Sequence, residues 1–428
     1  MIYLQLLPNA EFSYYGDDGC AFHLLNHKRF PCDKKTAELL EELLRGKPYE
    51  ESEYEKDFKE YLSQLMIEGM LYQYQSPVYH EPYCSKSNME IRGLFEEPPH
   101  MNQIYIQGAG TCNYNCKYCQ LNPERTIVNY GCNSCIQWGD LSKSYTINDR
   151  TKDIKRLLQL HHSKITISGG NAFLDWKATR TVLKAILQAD SSTKIHIIHN
   201  GSMLSEEILR FLSGQKIHMS IMVFGFDKDS YCKITGKRTS YEEFEELLKR
   251  FQELHITYEL IPIGNGTNLK NIQEFVGNIH HMSVNNMVEI SESKEKLRTS
   301  LTYQERKMLP LDEFFDRKRY NKCLYGKLAL TMDGRIQPCP MIEDVLVDLK
   351  EQNLEYIFQN QQIDRYWRMT RKSITVCGHC PYQWICSDCT KTLAVVDQHG
   401  EKSGWICEHM RELGGDNYGA VASTIGNL

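Results

Sequence analysis

The chain has 428 residues, 41% of them hydrophobic and 25% charged, an ordinary globular balance, and at about 100–200 residues per domain it predicts two or three domains. Its net charge of −5 excludes the overall positive field of a general nucleic-acid binder. No apolar run approaches the roughly 20 residues that span a bilayer, and MIYLQLLPNAEF lacks the basic and apolar regions of a secretion signal, so the chain is expected in the cytoplasm, away from membranes.

Residues 1–80 read as a small separate unit. IYLQLL and CAFHLL are strand-like runs around the turn YYGDDG. Asp33 is the expected N-cap of KKTAELLEELLRG, whose leucines recur at helical spacing as far as Gly46. A second amphipathic helix is predicted over 54–69, with Phe58, Tyr61, Leu62, Leu65 and Met66 on one face, and MLYQYQS then reads as a strand. Strands, helices and a last strand suit a winged-helix-like fold. Residues 81–101 show no period and are read as a linker.

Residues 102–295 alternate strand and helix. The predicted strands are QIYIQG, KITISG, KIHIIH, IHMSIMVF, TYELIPI and MVEIS. Helical stretches such as WKATRTVLKAILQA and YEEFEELLKRFQEL lie between them. Six β/α units of this kind predict a parallel sheet forming a partial (β/α)6 barrel, with its site at the carboxyl ends of the strands. Residues 296–320 form a charged, mostly helical bridge. Residues 321–412 are cysteine-rich with little regular pattern, and 413–428 end the chain as a small, polar tail.

The cysteines carry the chemistry. There are sixteen, five of them between 112 and 135 and seven after residue 320. In a reduced compartment such clustering points to metal rather than to disulfides. GAGTCNYNCKYCQLN directly follows the first predicted strand of the repeat and spaces Cys112, Cys116 and Cys119 as x3 and x2. Three thiolates on a short loop suit three irons of a cubane cluster and leave the fourth iron open. A zinc knuckle is the rival, but zinc wants four ligands in a closed site, and no fourth stands at the usual spacing. Cys132 and Cys135 form a possible second pair.

CNYNCKYC resembles the CxxxCxxC motif of the radical S-adenosylmethionine (radical SAM) superfamily, including the aromatic residue before the last cysteine, Tyr118. ITISGGN is similar to the family's Gly-Gly-Glu segment, matching at Gly169 and Gly170, with Asn171 in place of the acid. HIIHNGS resembles the Thr-Asn-Gly end of the third strand, with His199 in the threonine position. MSIMVFGFDKDSYCKITGK resembles the fourth-strand segment, where Ser220 is a candidate contact. The resemblance implies a [4Fe–4S] cluster on Cys112, Cys116 and Cys119. It also implies S-adenosylmethionine held near Tyr118, Gly169, Gly170, Asn171, His199 and Ser220.

The seven late cysteines include Cys377-x2-Cys380 and Cys386-x2-Cys389. By spacing alone they suit zinc or two iron–sulfur clusters. The order also resembles the SPASM extension behind radical SAM barrels that modify peptides and proteins. That resemblance implies two auxiliary [4Fe–4S] clusters, one on Cys323, Cys339 and Cys389, the other on Cys377, Cys380, Cys386 and Cys407. The last pair is spaced x2 where the family usually has x3. The N-terminal unit resembles the winged-helix leader-recognition domain of peptide-modifying enzymes.

Together these readings predict a radical SAM/SPASM oxidoreductase that matures a ribosomally made precursor peptide bearing a leader sequence. It would work with an external electron donor such as flavodoxin or ferredoxin. The product would be a crosslink, thioether, epimerised residue or oxidised side chain. Cys232, beyond the fourth strand, is a candidate hydrogen-atom donor, with packing as the simpler role. Rival readings are an anaerobic sulfatase-maturing type of enzyme, a catalytically silent peptide scaffold, and a zinc-binding regulator.

Overall fold

The computed structural model describes residues 1–15, 18–26, 28–80, 101–119, 122, 128–129, 138, 147–189, 193–264, 268–280, 288–291, 309–359, 362–373 and 383–385. Residues 81–100 of the expected linker 81–101, the expected tail 413–428, and Cys84, Cys132, Cys135, Cys377, Cys380, Cys386, Cys389 and Cys407 lie outside those residues. The chain divides into two compact units.

In the first unit, strand β1 (Tyr3–Leu6) pairs antiparallel with β5 (Leu71–Tyr74). Strands β2 (Ala10–Tyr15), β3 (Asp18–His23) and β4 (Lys28–Asp33) form an antiparallel sheet with β3 in the middle. The segment expected as the turn YYGDDG therefore closes β2 and opens β3. The additional strand β4 is KRFPCD; its Pro31 fits an edge strand, where one row of hydrogen bonds is not needed, and hides it from a pattern search. Asp33 caps α1 (Lys34–Leu44), accepting from Thr36 N–H at 2.9 Å. Helix α2 spans Lys56–Ile67, slightly inside the expected range.

Side chains of β3 alternate between two cores, as the strand period demands. Ala21 packs with Leu40 and Leu43 of α1 and Phe58, Leu62 and Leu65 of α2. Cys20, Phe22 and Leu24 turn the other way, onto Phe314 and Phe315 of the helix Leu311–Arg319 and onto Trp384 and Ile385. The first unit thus draws its second layer from the predicted bridge and from late sequence. Lys318 fastens it, 2.6 Å from the Glu11 carboxylate and over the rings of Phe314, Phe315 and Trp384.

The second unit is built on one ten-stranded sheet. Strands β6 (Gln103–Gln107), β8 (Lys164–Ser168), β9 (Lys194–His199), β10 (Ile217–Val223), β11 (Tyr258–Gly264) and β12 (Val288–Ser291) run parallel in that order, the six that the alternation predicts. Helices α3 (Ile147–Leu157), α4 (Trp176–Ala189), α5 (Glu206–Ser213), α6 (Lys228–Thr235), α7 (Ser240–Glu253) and α8 (Leu269–His280) occupy the connections. The strand β7 (Val128–Asn129) closes the β12 edge antiparallel.

At the other edge the structure adds regular elements where little pattern was expected. β13 (Lys327–Leu330) lies parallel to β6, and β14 (Arg335–Gln337) and β15 (Val347–Asp348) follow antiparallel. Register sorts the parallel strands into two faces. Ile104, Ile165, Ile195, Met219 and Leu260 share the apolar face, while Tyr105, Thr166, His196, His218, Ser220 and Glu259 share a polar one. No helix among the described residues is long and apolar enough to cross a membrane.

Candidate active site

The loop after β6 carries Cys112, Cys116 and Cys119, none of them in a disulfide. It is clamped to the end of α6. Asn115 N–H donates to Thr235 O at 3.0 Å, and Lys117 N–H to Ile234 O at 3.1 Å. The last carbonyls of a helix lack partners within the helix, and here the cysteine loop supplies them. Gly236 leaves the helix at φ +69°. The Asn122 amide ties the loop internally, donating to Asn115 O at 3.2 Å and Cys116 O at 3.3 Å. Cys112 Sγ accepts from Tyr114 N–H and from Asn200 Nδ2–H, each at 3.5 Å. Burial pushes the Cys112 thiol up and these donors pull it back. Donors aimed at sulfur suit a thiolate that ligates metal. Tyr118 is buried and stacked on Phe224, centroids 6.2 Å apart.

Gly169 and Gly170 bring the end of β8 against this loop. Their φ angles are +90° and +60°. A Cβ on Gly170 would lie 2.5 Å from Ala109 O and 2.6 Å from Thr111 O, and one on Gly169 would lie 2.3 Å from Trp138 Cδ1. Only glycine permits both the dihedral and the approach. Ala109 N–H donates to Gly169 O at 3.0 Å and Asn171 N–H to Thr111 O at 2.8 Å. Trp138 donates to Ser168 Oγ at 3.1 Å.

Asn171 is fully buried and all its polar atoms are used. Its Nδ2 donates to Asn113 Oδ1 at 2.7 Å and to Ser202 Oγ at 3.2 Å. Its Oδ1 accepts from Phe173 N–H at 3.0 Å and from His199 Nε2 at 2.8 Å. His199 Nδ1 accepts from Gly201 N–H at 3.0 Å, so Nε2 carries the proton. Burial lowers the His199 pKa to about 3, so the ring is neutral. Asn200 and Ser202 complete the set, the one Ser202 hydroxyl proton having Asn200 Oδ1 at 2.7 Å and Asn113 Oδ1 at 3.0 Å as alternative acceptors. The two departures from the family motif, Asn171 and His199, are thus hydrogen-bond partners. An ionised carboxylate at position 171 would face a neutral ring in a buried site.

The structure brings Cys112, Gly169, Gly170, Asn171 and His199 into one neighbourhood and joins Asn113, Asn200 and Ser202 to them; the sequence reading had not singled out the last three. The HNGS run after β9 was their signal. Ser220 lies elsewhere, its hydroxyl bonded to His196 and Glu259. Cys232 sits on α6, partly buried. Cys323 belongs to the first unit, where its N–H meets Asn321 Oδ1 at 3.0 Å, and Cys339 is buried in the second.

Residues 106–279 match the family description "Radical SAM superfamily", so this stretch of the second unit is a radical SAM domain. No curated protein matches the sequence. Among solved structures the chain is similar to native anSMEcpe with bound AdoMet, at 13% identity and TM-score 0.53 over 77% of this chain and 100% of that one. It is also similar to SuiB of Streptococcus suis, at 14% identity and TM-score 0.47 over 94% of this chain and 98% of that one. At 13% identity the likeness to anSMEcpe is one of fold alone.

Proposed function

We propose that the protein is a radical SAM oxidoreductase of the cytoplasm that modifies a ribosomally made precursor peptide. The clamped three-cysteine loop beside Gly169 and Gly170 is the observation that carries the reading. Cys112, Cys116 and Cys119 would hold a [4Fe–4S] cluster and leave one iron to S-adenosylmethionine. Bound there, that pair would supply 5′-deoxyadenosyl-radical chemistry for hydrogen abstraction from the peptide. The chain's own part is placement. Asn115 and Lys117 fix the loop on α6, Asn200 and Tyr114 tune the Cys112 sulfur, and the neutral set around Asn171 sets the amide groups beside it without adding charge.

Peptide as substrate is supported by the cysteine order of the tail and by the first unit. β2 and β4 are edge strands among the described residues, and an extended leader would add to such an edge through main-chain hydrogen bonds. The late cysteines would hold two auxiliary clusters that pass on the remaining electron. An external flavodoxin or ferredoxin would reduce the first cluster. The test is anaerobic purification with iron and sulfide counted, then incubation with S-adenosylmethionine and a strong reductant. About twelve irons per chain are expected for three cubanes. About four would overturn the auxiliary assignment, and absence of 5′-deoxyadenosine would overturn the enzyme reading. A short peptide encoded beside the gene, mixed in the same assay, should lose hydrogen or gain a bond by mass spectrometry.

A further inference from the structure

A group of side chains with metal-ligand chemistry stands on the polar face of the sheet. His196 on β9, His218 on β10 and Glu259 on β11 occupy three adjacent parallel strands. His196 and His218 are register partners. Glu259 is opposite Ser220, two residues on from His218 and on the same face. His196 Nε2 is 3.6 Å from Glu259 Oε1, and His218 Nε2 is 3.8 Å from the same oxygen. All three ligand atoms lie within 4.8 Å of one another. Neighbouring ligand atoms on a tetrahedral zinc, with bonds of about 2.0–2.1 Å, stand about 3.3 Å apart. Shifts of a few tenths of an ångström to at most about 1.5 Å would close the set on an ion.

We propose that His196, His218 and Glu259 form a binding site for one divalent zinc-class cation, separate from the cysteine clusters. Two imidazoles and one carboxylate are borderline-hard donors that suit zinc better than magnesium or calcium. Three protein ligands leave a fourth position open, as in zinc sites that hold water or a substrate oxygen. The side chains of His218 and Glu259 are 40% and 36% exposed, so an ion can reach them. His196 is buried at 8% exposure and would be the anchor.

Two further contacts favour ligation. The Ser220 hydroxyl bonds to Glu259 Oε1 and to His196 Nε2. On ligation the bond to Glu259 can stay and orient the carboxylate, as outer hydrogen bonds do at metal sites. No described residue bonds His196 Nδ1. Ser220 donates its one proton to Glu259 and so accepts from His196 Nε2–H, while the unbonded Nδ1 can take that proton when Nε2 ligates, in contrast to His199, whose Nδ1 is held by Gly201. Binding would displace the Nε2 proton to Nδ1 or to solvent, with no change of oxidation state.

The site lies about 10–17 Å from the carboxyl ends of its strands, given three residues on β9 and five on β10 and β11 at about 3.3 Å each. An ion there would hold a carbonyl or carboxylate oxygen of whatever lies against the polar face. The test uses the holoprotein with its clusters in place, exposed to zinc alone and then desalted. Wild type should keep one zinc per chain, with nitrogen and oxygen at about 2.0–2.1 Å and no sulfur shell at about 2.3 Å by zinc-edge X-ray absorption. His218→Ala and the shape-conserving Glu259→Gln should each lose that zinc with iron and sulfide content unchanged. No zinc in the wild type, zinc retained in both variants, or a sulfur shell would each overturn the site.

Discussion

At the scale of single residues, His199 shows how burial changes the role of a polar side chain. Its pKa falls from an ordinary 6.5 to about 3 because the ring is buried. The unfolded chain therefore binds a proton in a range where the folded one does not. Stability from this group is complete above about pH 6.5 and is lost as pH falls toward 3, at about 1.4 kcal/mol per pH unit. His199→Gln cannot titrate there. The fall in melting temperature between pH 7.5 and 5.5 should be smaller in the variant than in the wild type. An equal fall would mean that His199 is already charged or exposed. Little of this was visible in the sequence. HIIHNGS marks a strand end, but that His199 and Asn171 satisfy each other depends on two strands lying side by side. The same holds for His196, His218 and Glu259. Each interrupts an apolar run at the start of a strand, and only the register turns three such interruptions into a group.

At the scale of elements, two positive-φ glycines separate strain from crowding. Gly69 follows α2 at φ +68°, with nothing within 4 Å of the place a Cβ would take; Gly170 joins β8 to the cysteine loop at φ +60°, against two carbonyl oxygens. Gly69→Ala should cost about 1 kcal/mol, from the dihedral alone. Gly170→Ala should cost more and should lower the iron retained on anaerobic purification, because Thr111 and Ala109 must move and Cys112 follows them. Melting temperature and iron content of the pair decide it, and equal effects would deny the loop-to-loop contact its role. The six parallel strands were legible because each is a run rich in isoleucine between helical stretches. β13 to β15 were not, being two to four residues long. Their one clear signal was Asp333-Gly334 between KLAL and RIQ, a hairpin turn, with Gly334 at φ +88°.

For the molecule as a whole, the first 80 residues are less separable than their sequence implies. β3 presents Phe22 and Leu24 to Phe314, Phe315, Trp384 and Ile385, all of them buried. A chain lacking residues 1–80 should expose that apolar group, bind the dye ANS strongly and lose solubility. A truncated protein with no added dye binding would show that the helix Leu311–Arg319 covers itself. The alternation of strand and helix made the six β/α units of the second unit readable, because from β8 to β12 each parallel strand pairs with the next in sequence. The first unit borrows its layer from more than 280 residues away (314 minus 22 is 292), a distance over which periodicity carries no information.

The placement of β13 has a consequence in time. Tyr105 lies between Thr166 on one side and Ala329 on the other. Its second neighbour is therefore 224 residues downstream (329 minus 105). At about 5–20 residues per second of synthesis, β6 waits about 11–45 s on the ribosome with one edge open. The strand that leads into the cysteine loop is thus among the last of the parallel strands to be flanked on both sides, and iron delivered early meets a half-built sheet. On the proposed reading, cluster insertion and completion of the chain would be coupled through this one strand, because the loop reaches its final support only after most of the protein has been made.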